Sequence, residues 1–287
     1  MKKIYFFFIL MVGGTINLLA QNNIRPAIYF EDMNFYNPSN IPIDSAYRYY
    51  FSLQTNYKFV KNEDEIWNKP PSVLINHIGK IKQTNLYYSV EYLNDDYSFF
   101  NRNSVSGGIA YRLKLGASSY ISFGGKVIVN FDVVNGNKLQ LPVSISGTTL
   151  KINPDLDLGV EFGWKGLRVG LASKNLIGFR SKIEGAVLIE NKRLASLTAS
   201  YLFNLGKNFK IAPLAMLYYD GKMIYDVGAY FCIYEYARIS YVLRANELRS
   251  IFSADVRIVK NLYLGAAFDF SPILTDKNLC VVLRYGF

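Results

Sequence analysis

The residues able to do chemistry in this 287-residue chain are few and scattered. Its one histidine, His77, stands beside Asn76, and a hydrolase built on a His–Ser or His–Asp pair would need partners brought to it from elsewhere in the fold. The two cysteines, Cys232 and Cys280, lie far apart in apolar, strand-like segments without metal-ligand spacing. They read as small apolar fillers, and a disulfide would require their strands to be neighbours. No phosphate loop, zinc spacing or calcium loop is present. The expectation is therefore a protein that is not an enzyme and has no catalytic, cofactor-binding or metal-binding residues, with His77 structural. What remains is a set of acids and bases at alternating positions. Asp155, Asp157, Glu161, Asp226, Asp255 and Asp269 share one face of their segments with Arg112, Lys126, Arg168, Arg238, Arg257 and Arg284. Such charges would line a lumen and pair there, as a solvated network without a catalytic role.

The elements that must carry these charges are strands, because alternation with period two runs along the chain. Tyr47, Tyr49, Phe51, Leu53, Tyr57 and Phe59 alternate with polar residues, as do Leu86–Tyr92, Ser104–Leu115, Ile121–Phe131 and Asp155–Trp164. Lys165-Gly166 is a hairpin turn into Leu167–Lys174. Further strands are expected at Ala195–Phe203, Phe209–Tyr218, Met223–Ile233, Tyr236–Leu243, Ile251–Ile258, Leu262–Phe270 and Leu279–Phe287. With a weaker one at Ser72–Lys80 the total is about 14, within a range of 12–16, and Lys182–Glu190 is an additional candidate. Segments of about 9–11 residues suit tilted strands crossing a bilayer. The fold class predicted is all-β, a transmembrane antiparallel β-barrel occupying 46–287. A soluble sandwich is disfavoured, because single charges recur strand after strand on the face opposite the apolar one.

Composition agrees with that reading. Aromatic residues reach 16%, with 23 Tyr and 20 Phe, against 19% charged residues and a hydrophobic fraction of 51%. The net charge is +10, but its Lys and Arg residues are spread singly, which argues for an anionic membrane or partner over nucleic acid. At the amino end, Lys2 and Lys3 precede an apolar run from Ile4 to Leu19, and Leu18-Leu19-Ala20 offers a cleavage site before Gln21. Residues 1–20 are thus expected to be a cleaved signal peptide. Residues 21–45, with Pro26, Pro38, Pro42 and the aromatic Phe30, Phe35 and Tyr36, are expected either to plug the lumen or to pack at the periplasmic mouth. The last strand alternates Leu279, Val281, Leu283, Tyr285 and Phe287 up to the chain end. A terminal strand of that kind looks like the signal read by the outer-membrane insertion machinery. The predicted location is the bacterial outer membrane.

Over nearly its whole length after the leader, the chain resembles the PorP/SprF-like proteins of the type IX secretion and gliding system. Phe35-Tyr36-Asn37-Pro38-Ser39 resembles the family's Asn-Pro-(Ala/Ser) segment. Ala110-Tyr111-Arg112-Leu113 and Ser122-Phe123-Gly124 resemble successive family strands. Asn153-Pro154-Asp155 followed by Leu158-Gly159-Val160, then Val169 to Leu176, resembles the central hairpin, and Ile211-Ala212-Pro213 a later strand carrying one proline. The pattern departs where a Tyr-Asp strand is replaced by Phe268-Asp269-Phe270, and where Asp276-Lys277-Asn278 stands in the region of a His-Glu pair. The resemblance implies a gliding-motility or secretion component that supports export or surface anchoring of a specific secreted partner such as a large adhesin. Its partners would be type IX secretion components, that adhesin-like protein and outer-membrane lipid. Contact regions expected on that reading are Asn62–Pro71, Asn135–Lys151 and Phe179–Lys192. The alternatives are a passive or substrate-specific pore and a structural barrel tied to periplasmic motility parts.

Overall fold

In a computed structural model of the protein, residues 33–41, 48–61, 66–68, 71–97, 100–138, 147–183, 186–219, 221–234, 236–272 and 276–287 are described. The expected signal peptide, most of the 21–45 segment and parts of the three expected contact regions lie outside these residues. Fourteen antiparallel strand positions close into one barrel. In chain order they are β1 (Tyr49–Lys61), β2 (Ser72–Lys80), β3 (Leu86–Tyr97), β4 (Phe100–Lys114), β5 (Ser119–Asn135), β6 (Thr148–Trp164) and β7 (Leu167–Lys174). The second half comprises β8 (Leu194–Tyr201), β9 (Phe209–Tyr219), β10 (Met223–Ile233), β11 (Ala237–Arg244), β12 (Arg249–Val259), β13 (Leu262–Phe270) and β14 (Asp276–Gly286). Each strand pairs with the next, and β14 pairs with β1 from Tyr50↔Gly286 to Val60↔Asp276. This up-and-down closure leaves no open edge, which a sheet in lipid requires. Among the described residues no helix is long and apolar enough to cross a membrane, and the crossing elements are strands.

The terminal residue takes part in closure. The Phe287 carbonyl accepts from the backbone N–H groups of Arg48 (2.9 Å) and Tyr49 (2.7 Å), and the Phe287 N–H donates to Tyr49 (3.0 Å). Its ring meets those of Tyr49 and Tyr285 at 5.0 and 5.3 Å. These rings, with Tyr201–Phe203 and Phe209–Tyr234, ring one end of the outer wall. Tyr241, Phe252, Phe268 and Phe270 cluster nearer the other. Between them Val90, Ile109, Val127, Leu158, Leu171 and Val227 face outward and stay exposed. That is the aromatic-flanked apolar band of a membrane barrel.

The two ends differ. At one lie both ends of the barrel chain and the connections at 81–85, 115–118, 165–166, 202–208, 234–236 and 260–261. Lys165 and Gly166 both have positive φ (49° and 107°), the conformation of a two-residue turn whose twist matches its strands. At the other end lie the connections at 62–71, 136–147 and 175–193, so the three expected contact regions emerge together. The middle one is shorter than expected. β5 and β6 are 17 residues each and stay paired out to Asn135↔Thr148, well past the length a bilayer needs.

Two other expectations change. Lys182–Glu190 does not join the wall, because Arg180–Ile183 and Ala186–Glu190 form a separate two-stranded hairpin within the β7–β8 connection. The strand expected over Ala195–Phe203 is interrupted at Leu202, and only Phe203–Leu205 resumes pairing with β9. The gap falls beside Ala212 and Pro213, and a proline has no N–H for the ladder.

Candidate functional site

Inward-facing side chains of β3–β7 and the short segment Met33–Ile41 form one hydrogen-bonded body inside the barrel. The segment is wound on itself. Tyr36 and Asn37 N–H groups donate to the Met33 carbonyl (3.0 and 2.8 Å), and the Asn40 N–H to that of Asn37 (2.9 Å). The Asn34 amide donates to the carbonyls of Pro38 (3.2 Å) and Asn40 (2.9 Å). Asn37 Oδ1 accepts from the Ser39 N–H and hydroxyl (3.0 and 2.6 Å), the Asx turn for which this residue type is suited. Every residue from Met33 to Ile41 is buried.

The wall meets this segment with cations aimed at its carbonyls. Lys126 Nζ donates to Asn34 O and to Glu91 Oε2, both at 3.1 Å. Lys174 Nζ donates to Phe35 O (2.5 Å) and lies 3.7 Å from the Phe35 ring centroid and 4.0 Å from Asp157. Arg112 and Arg168 converge on Ile41 O at 3.3 and 3.5 Å. Glu161 is the hub on the same wall. It accepts from Asn40 Nδ2 (2.5 Å), Tyr120 Oη (2.8 Å) and Arg168 (2.8 Å), so its charge is matched although the group is buried. Asn37 Nδ2 donates to Val160 O (3.3 Å).

Glycines let the backbone come this close. A Cβ on Gly124 would overlap the Pro38 carbonyl and Ser39 nitrogen, and one on Gly159 or Gly170 would overlap the Asn37 amide. Gly124 pairs with Gly159, and Glu161 with Gly170, so the three form a smooth patch across β5, β6 and β7. The model of the type IX secretion system membrane protein PorP/SprF matches residues 20–278. The chain belongs to this family. Residues from several of its resembling motifs meet in a single seat: Asn37-Pro38-Ser39 lies on Gly124, Gly159 and Gly170, with Arg112 at one end.

This PorP/SprF-family protein is an outer-membrane barrel of the type IX secretion system. No curated protein matches the chain. Among solved structures it is similar to the Ralstonia pickettii toluene transporter TbuX (10% identity, 88% of this chain and 92% of that one, TM-score 0.55). It is also similar to a Pseudomonas aeruginosa FadL homologue (9%, 97% and 96%, 0.54) and the Pseudomonas putida toluene transporter TodX (8%, 88% and 92%, 0.53). At such identities the likeness concerns the fold alone.

The charges that sequence alternation placed on one face do meet inside the PorP/SprF barrel, although mostly with partners not in that set. Asp226 is held by Arg244 (3.1 Å) and Asp269 by Arg249 (2.5 Å). Asp255 lies 2.5 Å from Arg284 and 3.5 Å from Arg238. Asp155 and Asp157 turn to backbone, accepting from the N–H groups of Ile177 (3.1 Å) and Asn175 (2.8 Å) at the root of the β7–β8 connection. Arg257 stacks on Tyr236 (4.2 Å). Nearer the long connections, Asp132 takes Arg102 Nε (2.6 Å) and Nη2 (3.0 Å) and the Asn153 amide (2.6 Å).

The lumen is also less polar than alternation implied. Met33, Phe35 and Tyr36 pack against Leu74, Leu214, Met216, Tyr218, Ile224 and Val242 in an apolar interior lobe. On β9 and its neighbours both faces are apolar, one toward lipid and one toward this lobe, so period two carries little contrast there. Cys280 belongs to the lobe, and the two cysteines are not joined in a disulfide. His77 points to the outer wall, where it stacks with Tyr49 and lies 3.0 Å from Tyr88 Oη. Sequence reasoning missed Asn34, Asn40, Glu91 and Lys174 as members of the seat. Alternation put Glu91 and Lys174 on the inner face, but nothing local indicated what they would meet.

Proposed function

We propose that this barrel is a docking and retention component of the type IX secretion system, supporting export or surface anchoring of a specific secreted partner such as a large adhesin. The observation that carries the reading is the seat just described. The protein's own Met33–Ile41 acts as a plug, bound by Lys126, Lys174, Arg112, Arg168 and Glu161, so the interior is built to be filled. A filled barrel offers its mouth and connections to a partner, where an open one offers a path. In line with outer-membrane barrels generally, the end bearing 62–71, 136–147 and 175–193 faces outward and the short-turn end faces the periplasm. The role is binding, with no chemical step and no cofactor.

The test is to isolate an epitope-tagged copy from outer membranes in mild detergent and identify what accompanies it. Recovery of one large secreted protein, lost when the outward connections are exchanged, is expected. Recovery of periplasmic machinery alone would refute partner-specific docking. Sustained ligand-free current through the purified barrel in a planar bilayer would instead favour a pore.

A further inference from the structure

The outward half of β6 has a wall strand on one side only. β5 pairs with β6 along its whole length, whereas β7 pairs with it only from Leu158↔Ser173 to Trp164↔Leu167. Backbone groups along a strand point alternately to its two neighbours. The Gly147 carbonyl accepts from Gly136 on the β5 side, and the Leu156 carbonyl accepts from Leu176 on the β7 side. Thr148, Leu150, Ile152, Pro154 and Leu156 therefore turn their backbone groups toward the β7 side. At the lower end of this stretch the edge is closed by other means. The Leu156 N–H donates to Asp155 Oδ1 (2.9 Å), its carbonyl takes the Leu176 N–H (2.9 Å), and Pro154 has no N–H to offer. Beyond Pro154, among the described residues, no strand pairs with Thr148, Leu150 or Ile152 on that side. The hairpin of Arg180–Ile183 and Ala186–Glu190 pairs only with itself.

The opening begins where the outer wall leaves the lipid. On β3 and β4 the outward face turns polar at Asn94, Asn103 and Asn101, joined by amide hydrogen bonds of 2.9 and 2.6 Å. Asn103 pairs with Phe131, which pairs with Ile152. A sheet edge cannot stay open in hydrocarbon, but in water it can, and there it is a template for a further strand. We propose that Thr148, Leu150 and Ile152 take an extended acidic segment of the secreted partner as an added strand, antiparallel to β6 and in line with β7. Resting on the docking reading, this gives the partner's contact a backbone edge. Exposed Leu150 and Ile152 offer apolar contacts on one face of it. On the other face is Lys151, whose cross-strand acid, Asp132, is already bound by Arg102 and Asn153. Lys192 and Arg193 stand exposed at the end of the β7–β8 connection. These cations favour an acidic segment over a basic one. A second copy of the chain does not fit. Copies inserted in one membrane share an orientation, so two facing β6 strands would run the same way and cross at about twice their ~40° tilt.

The test joins recovery of the tagged barrel from outer membranes with hydrogen–deuterium exchange of the purified barrel. Leu150→Pro removes an edge N–H and no bond to β5, as Pro154 already does at the same phase, while Leu150→Val keeps that N–H. Leu150→Pro is expected to lower recovery of the secreted partner roughly tenfold, the worth of one lost hydrogen bond, and Leu150→Val to leave it unchanged. Equal recovery by two folded variants overturns strand addition and leaves partner-specific docking standing. In the purified barrel the Leu150 and Ile152 amides should exchange roughly tenfold or more faster than those of Lys151 and Asn153, which face β5. Equally slow exchange of all four would mean that the chain's own connections cover the edge, and would overturn the proposal. Should the unaltered barrel recover no secreted protein, the docking reading fails, and a short synthetic peptide alternating Glu and Val decides the edge by itself. Slowed exchange at Leu150 and Ile152 with that peptide, and not with one alternating Lys and Val, upholds the site; no slowing overturns it. The same peptides decide if Leu150→Pro does not fold.

Discussion

Adjacent glycines on β5 make a controlled pair for the seat. Gly124 faces the lumen and Gly125 the lipid, so the same change at each probes opposite walls of one strand. A Cβ on Gly124 falls on the Pro38 carbonyl carbon and oxygen and the Ser39 nitrogen, backbone atoms that cannot swing aside. A Cβ on Gly125 comes only to 3.3 Å from Leu158 Cδ2, the end of an exposed side chain that rotates freely. Valine suits a strand backbone at both positions. Overpacking against a fixed neighbour costs roughly 3 kcal/mol at the upper end of its usual range, which is about a 100-fold fall in the ratio of seated to unseated segment. With the segment displaced, Asn40 loses Glu161 and Asn37 loses Val160 O. Hydrogen–deuterium exchange of the detergent-solubilised barrel reads this through the Asn37 and Asn40 amides, whose protection depends on turns too short to persist alone. Gly124→Val is expected to reduce their protection about 100-fold, and Gly125→Val to leave it within a few-fold. Equal protection in the two variants would refute the reasoning.

Lys174→Met removes the donor to Phe35 O and leaves Asp157 with less compensation, so the urea midpoint should fall by the equivalent of about 3 kcal/mol; adding Asp157→Asn should restore part of it, and strict additivity would count against the pairing. Glu161→Leu strands Asn40, Tyr120 and Arg168 and should destabilise the barrel more than Glu161→Gln, which keeps an acceptor oxygen; equilibrium unfolding of the two distinguishes them. His77→Phe keeps the stack on Tyr49 at the outer wall and should shift stability by less than about 1 kcal/mol, with partner recovery unchanged in the pull-down. Cys232→Ser with Cys280→Ala should leave mobility on a non-reducing gel unaltered, because these thiols are unlinked.

Alternation, turn chemistry and the terminal aromatic strand are properties of neighbouring residues, and they were enough to specify the architecture. Period two follows from the pleat itself, so Phe51, Leu53 and Tyr57 declare an outward face without reference to any other strand. Lys165-Gly166 declares a hairpin, and Leu279–Phe287 the strand that closes on β1. The number of strands, the outer-membrane address and the resemblance of Asn37-Pro38-Ser39 and its companions to a family were legible for the same reason. The seat was not. Asn34 meets Lys126 across 92 residues, Asn40 meets Glu161 across 121, and Phe35 meets Lys174 across 139. No local pattern encodes such pairings, because they exist only once closure has brought β3–β7 round a common axis. The same closure decided that Asp226 would find Arg244 and Asp269 would find Arg249, and that part of the lumen would be apolar. Residue types determined which face each side chain took; the curvature of the closed sheet determined what it faced.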